Sequence, residues 1–220
     1  MAKNLTRHSF SNDEQAPSYW NEACSALSAL HPTWALLIQA HNDRALRSRG
    51  APYETLLRSL IGQQISVKAA DAVWGRVVEC LGGSLNSSTL LACSDEALRA
   101  AGLSRAKVTY ARALSEFDQA GQLSLDALQA LDDEACSRHL CQIKGIGPWT
   151  AQMFMMFCLR RPDIWPVDDL GVQKALSRQF LQGQPVGPQE ALQFGETCRP
   201  WRTVAAWYLW RSLDPVVVDY

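Results

Sequence analysis

Apolar residues along this chain recur three and four positions apart, the spacing that lines one face of an α-helix. From Ser18 to Leu30 and from Thr33 to Arg47 the pattern predicts two helices that meet at a corner at Pro32. They follow a polar, unpatterned stretch at residues 1–16 that reads as a flexible tail. "RSRGAP" breaks the pattern, and "YETLLRSLIGQQISVKAADAVWGRVVECLGG" holds two further helical stretches stopped by Gly82 and Gly83. Ser94 and Ser104 read as caps of the next two helices, closed by Gly102 and Gly121. Two more lie between Leu123 and Cys141, the second capped by Asp132. Alternating strand patterns are scarce, the β-branched run in "PVVVDY" is isolated, and no repeat has a fixed period. The expected fold class is all-α.

With 220 residues and 47% hydrophobic side chains, the chain has material for a sizeable core, as one large domain or two small lobes. No apolar run approaches the roughly 18 residues of a membrane span, and "MAKNLTRHSFSNDEQAP" lacks the apolar stretch of a secretory signal. Neither a membrane nor a secreted location is expected. Seven cysteines, at 24, 80, 93, 136, 141, 158 and 198, are odd in number and lack clustered ligand spacing. They read as buried thiols, with no disulfide and no zinc. The net charge of -1 argues against a protein that grips nucleic acid through a large basic surface.

The stretch "GIGPWTAQMFMMF" carries the first candidate chemistry. A helix to Cys141, the turn "IKGIG" and a helix from Pro148 describe a hairpin, with Pro148 at the first helical position, where a missing N–H costs nothing. Gly145 and Gly147 permit backbone angles closed to other residues and strip the tip of side chains. A bare row of N–H groups at the positive end of a helix dipole then suits a phosphate. An ordinary αα-hairpin with helix-stop glycines is the plainer reading of Gly-x-Gly alone. Lys144 at the tip, Thr150 in the first turn and the apolar frame of Leu140, Ile143, Ile146 and Ala151 favour the phosphate site. The second candidate is the pair Asp168–Asp169, between Pro166 and the helical pattern "LGVQKALSRQF", where one acid reads simply as an N-cap.

"LCQIKGIGPWTA" resembles the helix-hairpin-helix motif of the DNA glycosylase superfamily that includes endonuclease-III-like enzymes. "IWPVDDLGVQKAL" resembles the segment that carries the superfamily's catalytic aspartate, and "LIGQQISVKAA" the 3-methyladenine DNA glycosylase II branch. Together the three segments, in this order, cover most of residues 52–212. The resemblance implies two helical lobes with a cleft between them and no N-terminal β-domain. One is a middle lobe at 52–163 that contains the hairpin (140–151); in the other, 17–51 pack with 164–220. It makes Asp169 the catalytic carboxylate at the cleft and Asp168 the cap or neighbour. Asp169 would stabilise the oxocarbenium character of a breaking N-glycosidic bond, or position or deprotonate the attacking water.

Bifunctional relatives carry a nucleophilic lysine two residues after the second hairpin glycine, where this chain has Trp149. A monofunctional hydrolase of alkylated purines in duplex DNA, of the 3-methyladenine and 7-methylguanine type, is implied, initiating base excision repair. The alternatives are a mismatch or deaminated-base glycosylase, or a non-enzymatic helix-hairpin-helix DNA-binding module. Trp149, Met153 and Trp210 match the base pocket, although a branch member has tyrosine where Met153 stands. Electron-rich rings there favour a cationic base by roughly 1 kcal/mol. Trp201 and Trp207 read as core. In "GQQIS", Gln64 is the candidate plug for the gap left by a flipped nucleotide, with Ile65 and Ser66 as alternatives. Ile143, Lys144, Gly145, Ile146, Gly147 and Thr150 are the expected DNA-binding residues of the hairpin. Backbone amides need no net positive charge. Lys68, Arg105, Lys107, Lys144, Lys174 and Arg202 could add local positive charge. No cofactor is implied beyond a monovalent cation held by hairpin carbonyls, and only Cys198 stands where cluster-bearing relatives have four cysteines. The expected partner is double-stranded DNA met by a monomer, in the bacterial cytoplasm (nucleoid) or the eukaryotic nucleus.

Overall fold

The computed structural model describes residues 16–47 and 50–213, so the tail reading at 1–15 and the "PVVVDY" segment lie outside the described residues. All regular structure among the described residues is α-helical. The first two helices, α1 (Trp20–Leu30) and α2 (Pro32–Ala40), pack on each other. The second stops seven residues before the expected Arg47: His41, Asn42 and Asp43 form a turn. Polar side chains of that kind compete for the backbone's hydrogen bonds.

Two helices, α3 (Pro52–Gly62) and α4 (Val67–Cys80), follow. In α3 the buried set Tyr53, Leu56, Leu57, Leu60 and Ile61 keeps strict three-and-four spacing, and this face packs on α7 (Arg105–Gln119). Short helices α5 (Ser87–Ala92) and α6 (Asp95–Ala100) also rest on α7. Local capping sets these boundaries. Ser94 and Ser104 accept from Ala97 and Lys107 N–H groups, and Gly102 and Gly121 close their helices in the left-handed region. After α8 (Leu125–Ala130) comes α9 (Asp133–Leu140), capped by Asp132 through the Ala135 N–H.

The centre of the molecule is built by α10 (Pro148–Phe157) and α13 (Arg202–Leu213). From Met153 to Phe157 and from Thr203 to Leu209 every side chain is buried, so these helices are enclosed on all sides. α10 packs on α9 and α3; α13 packs on α1, α2 and α11 (Leu170–Phe180), which also meets α12 (Pro188–Thr197). Trp207 is buried edge-on to Trp20, whereas Trp201 is half-buried and stacks on Tyr19. No helix among the described residues is long and apolar enough to cross a membrane.

Candidate active site

The hairpin joins α9 to α10. Ile143 and Ile146, 2% and 5% exposed, anchor it in the core, and the Ile146 N–H closes the turn on the Ile143 carbonyl at 3.0 Å. The two glycines play different parts. Gly145 has φ +95°, and a Cβ there would lie 2.4 Å from the Tyr110 ring. Gly147 sits at φ -104°, ψ 178°, ordinary extended backbone, and a Cβ there would meet nothing within 4 Å. Its missing side chain therefore leaves an approach to the helix N-terminus open, which corrects the expectation that both glycines serve closed backbone angles. The N–H groups of Lys144, Gly145 and Gly147 donate to no acceptor among the described residues. Lys144 is exposed. Thr150 is 5% exposed, so its side chain belongs to the interior and only its backbone can serve an outside ligand.

Nine residues beyond α10, the chain turns at Pro166–Asp169, with the Asp169 N–H on the Pro166 carbonyl at 3.1 Å. The cap of α11 is Asp169 itself: its Oδ1 accepts the Val172 N–H at 2.8 Å. Asp168 is exposed, and the expectation that it caps the helix is corrected. Only the extended Asp169, one residue before the first helical position, can reach back to the N–H three residues on. Two indoles complete the arrangement. Trp149 Nε1 donates to Asp169 Oδ2 at 2.8 Å and Trp210 Nε1 to Oδ1 at 2.8 Å. Residues from the N-terminus of α10, the N-terminus of α11 and the last turns of α13 thus meet on one half-buried carboxylate. A carboxylate offers about four lone-pair sites. Three are engaged, which leaves Oδ2 able to accept once more. Phe157 stacks on Trp210 with centroids 6.1 Å apart, and Met153, 4% exposed, is buried one turn beyond Trp149.

The "GQQIS" segment links α3 to α4. Gln64 is exposed with φ +59°, and Ile65 is 40% exposed. Ser66 caps α4, its Oγ accepting the Ala69 N–H at 3.3 Å. Gln63 donates its side-chain amide to the Gly145 carbonyl at 3.0 Å. Two of the expected basic residues are engaged inside the protein. Lys107 points to the end of α3, and Arg202 is paired with Asp163 at 2.7 Å, its side chain only 11% exposed. Carbonyls at the end of α3 and the half-buried Asp163 claim these cations. Lys68, Arg105 and Lys174 are exposed along with Lys144.

A family model described as "HhH-GPD superfamily base excision DNA repair protein" matches residues 57–200. The chain belongs to the HhH-GPD superfamily. This HhH-GPD chain is 34% identical over 194 residues to DNA-3-methyladenine glycosylase 1 of Schizosaccharomyces pombe, covering 84% of each. It also resembles the crystal structure of a Bacillus halodurans DNA-3-methyladenine glycosidase, with TM-score 0.82 and 33% identity over 94% of this chain and 95% of that one. A third likeness is the Schizosaccharomyces pombe 3-methyladenine DNA glycosylase in complex with abasic DNA. There the TM-score is 0.78 and the identity 31%, over 90% of this chain and 98% of that one.

Within this HhH-GPD site, sequence patterns left Gly171, Phe157 and the donor role of both indoles unread. Gly171 is one residue inside α11, and a Cβ there would lie 3.0 Å from both Asp169 Oδ1 and Trp210 Cδ1. The glycine lets the indole close on the acid. A glycine two residues after a candidate cap, in an otherwise good helical pattern, was the available signal.

Proposed function

We propose that this chain is a monofunctional DNA glycosylase that hydrolyses the N-glycosidic bond of alkylated purines in duplex DNA, the first step of base excision repair. The observation that carries the reading is the Asp169 carboxylate, held by the Trp149 and Trp210 indoles and the Val172 N–H at the head of α11. The helices α1, α2 and α11 to α13 form one lobe and α3 to α10 the other, with Asp169 between them. The N–H groups of Lys144, Gly145 and Gly147 bind one phosphate, and Gln64 fills the gap left by the extruded nucleotide.

A purine alkylated at N3 or N7 is cationic, so it departs as a neutral base with the electron pair of the glycosidic bond. No general acid is required. Positive charge then builds on the sugar, where a fixed anion stabilises it without reorganisation. Water adds its oxygen to the anomeric carbon and releases a proton, for which the remaining Oδ2 site is an acceptor. Orientation by three donors favours electrostatic stabilisation as the main part played by Asp169. Trp149 and Trp210 add cation–π attraction for the charged base. Trp149 offers no amine, so no Schiff base with the sugar forms at that position. The scheme uses protein side chains and water alone. A monovalent cation at the hairpin would use the second lone pairs of carbonyls such as Ile143 and Gly145, which already accept from Ile146 and Gln63.

The test is release from duplexes carrying 3-methyladenine, 7-methylguanine, ethenoadenine, hypoxanthine, uracil or 8-oxoguanine. Alkylated purines should be released and Asp169→Asn should lower the rate by roughly two to three orders of magnitude, with abasic-DNA binding retained. Near-normal turnover by Asp169→Asn, or release confined to uracil and hypoxanthine, would refute the reading.

A further inference from the structure

We infer that Lys107 and Gln63 are positioning residues that lock the 63–66 loop to the hairpin, so that Gln64 enters the duplex in fixed register with the bound phosphate. This rests on the reading of the hairpin as the phosphate site and Gln64 as the plug. One helix supplies both ends of the brace. Lys107 and Tyr110 lie one turn apart on the same face of α7. Lys107 Nζ donates to the Ile61 and Gln63 carbonyls at 2.7 and 2.8 Å, the last turn of α3. Tyr110 lies against Gly145, and Gln63 closes the circuit with its amide on the Gly145 carbonyl at 3.0 Å. Loop, hairpin and α7 are therefore joined through three separate contacts.

The way α3 ends separates this brace from an ordinary helix stop. Helix ends in this protein are commonly closed by a left-handed glycine, as at Gly82, Gly102 and Gly121. After α3 the left-handed residue is Gln64 at φ +59°, as Gln182 at φ +53° is after α11, and its side chain is exposed; what sets α3 apart is the lysine that reaches its last carbonyls. The α3 carbonyls are then satisfied by a lysine from another helix, whose ammonium is partly desolvated and its pKa lowered by burial. Such an arrangement fixes where the loop stands relative to Gly145, and water at the same carbonyls would not.

The experiment uses an abasic duplex with 2-aminopurine opposite the gap, whose fluorescence reports a side chain entering the stack. Wild-type protein at saturation should change the signal, and Gln64→Ala should lose most of that change. Lys107→Met and Gln63→Leu should each approach the Gln64→Ala signal, Lys107→Arg should recover part of it, and Lys107→Met should add nothing to Gln64→Ala. In base release, Lys107→Met should act about tenfold or more slower on a lesion in fully paired duplex, yet close to wild type on the same lesion in a bulge, where no stack must be held open. A generally loosened fold would slow both substrates alike. A full wild-type signal from Lys107→Met and Gln63→Leu, additive double-variant losses, or equal slowing on both substrates would overturn the brace. Absence of base release by the wild type would refute the activity reading alone, because the fluorescence comparison does not depend on turnover.

Discussion

Asp169 combines two duties. Its Oδ1 caps α11, and the same carboxylate gathers the indoles of Trp149 and Trp210. The cap fixes the side-chain rotamer, so the anion's direction is set before any substrate arrives. Gly171 is the residue that permits this closeness. Gly171→Ala puts a methyl 3.0 Å from both Oδ1 and the Trp210 ring, and a displacement of a few tenths of an ångström at the carboxylate should follow. Base release is expected to slow about tenfold while abasic-DNA affinity stays near wild type. Unchanged single-turnover rates would show that the Asp169–Trp210 contact does not matter to the chemistry. At this scale the sequence exposed the acid but not its partners, because an indole's choice between stacking and donating depends on where its helix lands.

The hairpin shows how an element divides work between residues of one type. Gly145 serves the fold, whereas Gly147 leaves the approach to the α10 N-terminus open. Gly145→Ala forces a left-handed alanine, at roughly 1–2 kcal/mol, and collides with Tyr110 as well, so the denaturant midpoint should fall clearly. Gly147→Ala has ordinary backbone and open space, so stability should hold within about 0.5 kcal/mol. On the proposed phosphate site, affinity for abasic duplex should nevertheless drop roughly tenfold, because a methyl would then stand where a phosphate oxygen meets the N–H donors. Parallel urea unfolding and DNA titration of the two variants check this pair; a stability loss in Gly147→Ala, or intact binding, would reverse the assignment. Element boundaries were legible at several local caps, as at Ser94, Ser104, Asp132 and Pro148, but not at Asn86, whose capping box opens the unread α5. The end of α2 was not: apolar spacing ran on to Leu46, which is buried from outside the helix.

For the whole molecule, net charge and alkaline stability are the quantities that sum over the fold. A charge of -1 is compatible with DNA binding when the grip is a hairpin's backbone and a few exposed lysines and arginines. Burial pushes Tyr53, bonded to Ser115 Oγ, up to about 12 and Cys198 up to about 11, and raises Tyr19 and Tyr208 as well. The unfolded chain ionises such thiols near 9 and phenols near 10, whereas the folded chain holds them neutral. Their contribution is fully present below pH 9 and is lost as pH rises from 9 towards 12. Lys107, lowered by burial, works in the opposite sense and softens the loss. The urea midpoint should therefore stay level at neutral pH and decline above 9, with Tyr53→Phe reducing the decline; a level profile to pH 11 would contradict this. The sequence by itself determined the all-α class, most of the helices, caps such as Ser94, Ser104 and Asp132, and the hairpin, since each depends on residues within a turn or two and on spacing. Only the tertiary structure decided which indoles reach Asp169 across 20 and 41 residues, and which lysine turns inward to the end of α3. Those partners are chosen by how enclosed helices pack, and no local periodicity encodes a contact between positions so far apart.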